Sequence, residues 1–164
     1  MYQASKIVGN DLAIQAVKAL RLPEFESEAG YCQRFVRQVF FSLYGQEYPY
    51  SNFAGSALET MHNFASTKYA RWNNIGSVVP VERVKRMIEP GDYLYKGSAT
   101  SGSFGHVGIA FNNNTGLSTN GTVSVAENSS YHTNPAHDGN VSGAKGFRTL
   151  EEFGSFELLV RLSY

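Results

Sequence analysis

The period of the apolar residues changes near residue 92, and that change limits the chain to few architectures. Before it, apolar side chains recur at helical spacing. Leu12, Ala13, Ala16, Val17, Ala19 and Leu20 predict a helix over 11–22, with Asn10 or Asp11 as its cap and Pro23 closing it. Cys32, Phe35, Val36, Val39, Phe40 and Leu43 form one stripe that stops at Gly45, which predicts a central core helix opened by Cys32. Ser56-Ala-Leu-Glu59 is a capping-box pattern and starts a third helix that turns Leu58, Met61 and Ala65 inward, with Tyr69 and Trp72 as further inward candidates. After residue 92 the β-favouring runs 93–96, 106–111, 123–127 and 158–162 alternate with Gly, Ser, Asn and Thr, as strands of an antiparallel sheet do. Turns are expected at 112–116 and 119–121, and an irregular surface loop over 129–146. Helices first and strands later predict an α+β fold, the N-terminal helices packed on one face of the sheet. With no internal repeat or linker, residues 1–164 read as a single domain.

Charge and cysteine usage remove several function classes. Fourteen Lys and Arg balance 14 Asp and Glu, and no basic cluster exists, so neither a nucleic acid nor an anionic membrane is an expected partner. No apolar run approaches the ~20 residues of a membrane-spanning helix. The N-terminus shows no secretory leader, so synthesis in the cytoplasm is expected, and a monomer. One cysteine cannot form an internal disulfide, so Cys32 is packing, chance or chemistry.

Chemistry is attractive because of where Cys32 sits. Unpaired N–H groups and the positive dipole end of a helix favour thiolate over thiol, and the same N–H groups can hold an oxyanion. A nucleophilic thiolate needs a base. Of the four histidines, His62 reads as a surface or satisfied structural residue of the third helix, and His132 and His137 form a His-x4-His pair without neighbouring ligands, so no metal site is expected. His106 starts an apolar strand, with Val107, Ile109 and Phe111 facing the core; Gly108 and Ala110 on the other side leave room for a substrate chain. In an antiparallel hairpin the end of 123–127 returns near His106, which brings Glu127 or Asn128 to the imidazole, the register deciding which. Tyr31, Tyr50, Phe53 and Tyr131 are candidates for the cleft, although aromatic packing accounts for most such residues.

Taken in order, Gly30-Tyr-Cys-Gln-Arg-Phe-Val-Arg-Gln-Val-Phe40, Ile88-Glu-Pro-Gly-Asp-Tyr-Leu-Tyr95, Gly105-His-Val-Gly-Ile-Ala-Phe111 and Val125-Ala-Glu-Asn128 resemble the NlpC/P60 superfamily of cell-wall cysteine peptidases, its CHAP amidase branch included. The resemblance spans about residues 30–130 and implies a papain-like NlpC/P60 fold. It implies Cys32 as nucleophile, His106 as base and acid, and Glu127 as the orienting residue, with Asn128 second. The implied substrate is a peptide or amide bond of the peptidoglycan stem peptide, cut without metal or organic cofactor. Such an enzyme would act at the bacterial cell wall after release or export, as a phage or prophage lysin does. Tyr31 stands where NlpC/P60 members usually carry Asp, and Gln33-Arg34 where Gly or Ser is common. Acyl transfer through the same thiolate, or a non-catalytic structural or wall-binding piece such as a phage tail component, are the alternatives.

Overall fold

The computed structural model describes residues 6–112 and 122–163. Of the predicted turns at 112–116 and 119–121, all but Asn112 lie outside these residues. In chain order the elements are α1 (Gly9–Ala19), α2 (Cys32–Tyr44), α3 (Ala57–Ala65), β1 (Ala70–Asn73), β2 (Tyr93–Lys96), β3 (His106–Asn112), β4 (Val123–Asn128), β5 (Asn140–Ser142), β6 (Lys145–Thr149), α4 (Leu150–Phe153) and β7 (Leu158–Val160). The strands make one antiparallel sheet in the order β1-β7-β2-β3-β4-β6-β5. This is the predicted α+β architecture.

Both faces of the sheet are covered, which explains why its central strands are apolar at nearly every position. Tyr93, Tyr95, Val107, Ile109 and Val160 join the core beneath α1, α2 and α3. Their neighbours Leu94, Ala110, Val125 and Leu159 join a second cluster with Leu150, Phe153 and Phe156 around α4. Alternation along each strand therefore serves two cores on one sheet.

Helix α1 begins two residues earlier than predicted, with Val8 as N-cap and no side-chain cap, so Asn10 and Asp11 lie inside it. The start of the helix is in close backbone contact with the turn before β2. Gly91 has φ +92°, and a Cβ there would lie 2.1 Å from Gly9 O; one on Gly9 would lie 2.6 Å from Pro90 O. The Pro-Gly-Asp sequence thus has a packing role. Asp92 accepts from Glu89 N at 2.7 Å and from Arg161 Nε and Nη2, both at 2.9 Å, closing the turn into β2.

The predicted stripe of α2 holds to Phe40, whereas Leu43 is 39% exposed because the last turn runs past the core. Ser56 caps α3 by accepting from Glu59 N at 3.1 Å. Trp72 belongs to β1, where it packs against Phe156 at a centroid distance of 5.5 Å, since α3 stops at Ala65. The predicted loop 129–146 is in part ordered: it contains a 3-10 turn at Ser130–His132, all of β5 and the start of β6.

Lys145, on β6, is buried and donates to Ala19 O at 2.9 Å, Leu22 O at 2.7 Å and Phe25 O at 3.2 Å. Its ammonium meets the last carbonyl of α1 and those of Leu22 and Phe25 in the turns that follow it, at the negative end of the helix dipole. Burial pulls its pKa below the usual lysine value, with Glu24 and Glu26 opposing. Lys145→Met keeps the stem but removes the donors, so it is expected to cost about 1–3 kcal/mol of stability in denaturant unfolding. An unchanged midpoint would show that those carbonyls are satisfied without it.

Candidate active site

Residues of α2, α3, β2, β3, β4 and β6 line one groove of about 710 Å³, whose walls include Tyr31, Cys32, Lys96, Phe104, His106 and Arg148. Cys32 is the first residue of α2 and is partly exposed. His106 is the first residue of β3 and stands directly opposite Lys96 of β2. Two devices fix the loop before it. Gly105 takes φ +70° where a Cβ would lie 2.6 Å from Lys96 O. Glu157, itself buried, accepts from Gly97 N at 2.5 Å, Thr100 N at 3.2 Å and Thr100 Oγ1 at 2.6 Å.

His106 Nε2 lies 2.7 Å from Glu127 Oε1, and the Cys32 side chain interacts with the same ring through hydrogen bonding and charge. With Nε2 given to the carboxylate, Nδ1 is the nitrogen left for sulfur. Burial alone would lower the pKa of His106; hydrogen bonding to Cys32 and Glu127, with their charges, outweighs it and raises the pKa to about 9. At neutral pH the ring is an imidazolium that donates to Glu127.

Glu127 is wholly buried and receives four N–H donors. Besides His106, they come from His132 Nε2 at 2.9 Å to Oε2, Arg148 Nε at 2.5 Å to Oε2 and Arg148 Nη2 at 2.9 Å to Oε1. Burial disfavours its charge, but His106, His132 and Arg148 together hold the carboxyl well below the ordinary carboxylate range. The Arg148 guanidinium is in turn sandwiched by rings, 4.4 Å from the Tyr131 centroid and 5.4 Å from that of Phe153. His132 Nδ1 is buried without a hydrogen-bond partner and packs against Gly146, where a Cβ would lie 2.6 Å from it. Its ring is thus oriented to give its one useful donor to Glu127.

The register separates the two neighbours on β4. Glu127 reaches His106, whereas Asn128 Nδ2 donates to Glu28 O at 2.8 Å in the segment before α2. No room for substrate exists beside Gly108, contrary to the sequence reading: a Cβ there would lie 2.3 Å from Val125 Cγ1 and 3.4 Å from the Phe153 ring. The groove instead opens toward α2 and the loop 97–105. Of the four candidate cleft aromatics, Tyr31 lines it. Phe53 and Tyr50 pack together and against Phe40, and Tyr131 packs against His132, His137 and Arg148. Phe104, 77% exposed on the groove wall, was not singled out by pattern because it belongs to no periodic segment.

His62 is exposed, which selects the surface reading over the structural one. His132 and His137 have ring centroids 6.4 Å apart, but His132 points to Glu127 and His137 Nδ1 pairs with Asp138 O at 3.1 Å. Among the described residues no group of three His, Cys, Asp or Glu could hold a metal ion, and no helix is long and apolar enough to cross a membrane. Comparison with protein-family models, curated proteins and solved structures finds no match to this chain.

Proposed function

We propose that the chain is a cysteine peptidase or amidase of the NlpC/P60 type, with a papain-like fold, and that it cuts a peptide or amide bond in the peptidoglycan stem peptide. The observation that carries this reading is the His106 imidazole held between a helix-opening cysteine and a buried carboxylate in one open groove. The substrate class comes from the sequence resemblance.

In this mechanism the Cys32 thiolate attacks the amide carbonyl, forming the S–C bond, while N–H groups at the start of α2 receive the oxyanion. His106 then protonates the leaving amine as the C–N bond breaks. Water adds to the acyl-enzyme with His106 taking its proton, and the S–C bond breaks to release the carboxylic acid and restore the thiolate. Glu127 holds the ring with Nδ1 toward sulfur throughout.

Alkylation tests the reading without a substrate. Iodoacetamide is expected to modify Cys32 in the native protein at neutral pH faster than it modifies a free cysteine peptide, and to abolish activity. Labelling that begins only on unfolding contradicts it. Because the His106 pKa is raised to about 9, the ring stays protonated across neutral pH, so turnover is expected to persist to about pH 9 and fall above it.

A further inference from the structure

We propose that the groove contains an anion subsite beside Cys32, with Lys96 as its ligand, which takes a free carboxylate of the substrate next to the scissile amide. The inference rests on the reading of Cys32 as the nucleophile and deepens it by naming a substrate group.

The charges around His106 do not balance. Lys96, Arg148 and the imidazolium, three cations, face two anions, Glu127 and the Cys32 thiolate of the proposed mechanism, and both Glu127 oxygens are already filled by donors from His106, His132 and Arg148. Among the described residues lining the groove the one acidic side chain is Glu28, which is exposed; Glu127 lies buried behind the groove wall. Arg148 is committed to Glu127 through two nitrogens, while Lys96 has no ion-pair partner among the described residues. Lys96 has a structural task, since its Nζ donates to Phe153 O and lies 4.3 Å from the Phe153 ring centroid. An ammonium has three donors, however, and that task uses one. Burial, followed by repulsion from Arg148, draws the Lys96 pKa down to about 8, with the Glu127 charge opposing them. Its strand position directly opposite His106, and its place with Cys32 on the wall of one groove, put the subsite on the same groove as the reacting thiolate. A substrate carboxylate there would meet a desolvated ammonium and the fields of Arg148 and the imidazolium.

Iodoacetate and iodoacetamide provide the test, because they carry out the same displacement of iodide by sulfur and differ in a carboxylate. The quantity to measure is the ratio of their rates at Cys32, at neutral pH and low salt, relative to that for a free cysteine peptide. The wild-type ratio is expected to exceed the peptide's and to shrink with added salt. Lys96→Gln, which keeps a donor for Phe153 O, and Lys96→Met are each expected to lower it by about threefold or more, and Lys96→Arg to retain it. Circular dichroism identifies which variants are folded. An unchanged ratio in folded Lys96→Gln or Lys96→Met, with Cys32 still reactive, overturns the anion subsite alone. If neither reagent modifies Cys32 in the native wild type, the nucleophile reading fails and the subsite falls with it.

Discussion

His106→Ala is expected to remove nearly all turnover, by at least the ~10²- to 10⁴-fold assigned to general acid–base catalysis, while the protein stays folded. The group moves a proton in both half-reactions, so its loss stops both leaving-group protonation and water activation. Stability should suffer far less than activity. The side chain is 13% exposed, and Glu127 keeps three of its four donors, from His132 and Arg148, when the imidazole is gone. Initial rates on cell-wall substrate together with thermal unfolding separate the two effects. A folded His106→Ala protein with near wild-type turnover would remove this residue from the mechanism.

Glu127→Ala is expected to be inactive and, unlike His106→Ala, strongly destabilised. The carboxylate orients the imidazole, but it also neutralises a buried cluster. Without it the Arg148 guanidinium, only 11% exposed, loses its ion-pair partner, and removing one partner of a buried ion pair costs about 3–5 kcal/mol. Glu127→Gln keeps one acceptor oxygen yet turns an NH₂ toward groups that also donate, so its losses should fall between wild type and Glu127→Ala. The folded Glu127 carboxyl lies below its ordinary value of 4.5, so its contribution is present above that pH and is lost as pH falls toward the folded value. His106 behaves oppositely: its contribution is whole below its ordinary 6.5 and disappears as pH rises through about 9. Stability curves against pH for wild type and Glu127→Gln check both signs. Asn128→Ala should leave the His106 interaction in place, since its amide is turned to Glu28 O.

The three residues of the proposed site could be read from sequence because each sits at the end of a strongly patterned element. Cys32 opens the apolar stripe of α2, His106 opens the apolar run of β3, and an antiparallel hairpin returns the end of β4 to the start of β3. Pattern alone left Glu127 and Asn128 open, because adjacent strand residues differ only in face, and the register decides between them. Arg148 and His132 were out of reach for a different reason. They lie on β6 and the short turn before β5, where Gly, Lys and Arg interrupt any apolar alternation, so those elements register as loop. The start of α1 was illegible for another reason: no side chain caps it, and its first residue, Gly9, is a glycine suited to close contact with Pro90 and Gly91, a long-range contact that local pattern does not carry.

Digestion of purified peptidoglycan, followed by mass analysis of the soluble products, tests the central claim most directly. Wild-type protein is expected to release fragments in which one amide bond has become a free amine and a free carboxylate, and Cys32→Ala to release none. Equal products from folded Cys32→Ala, or cleavage confined to glycan linkages, would contradict thiolate attack on a stem-peptide amide.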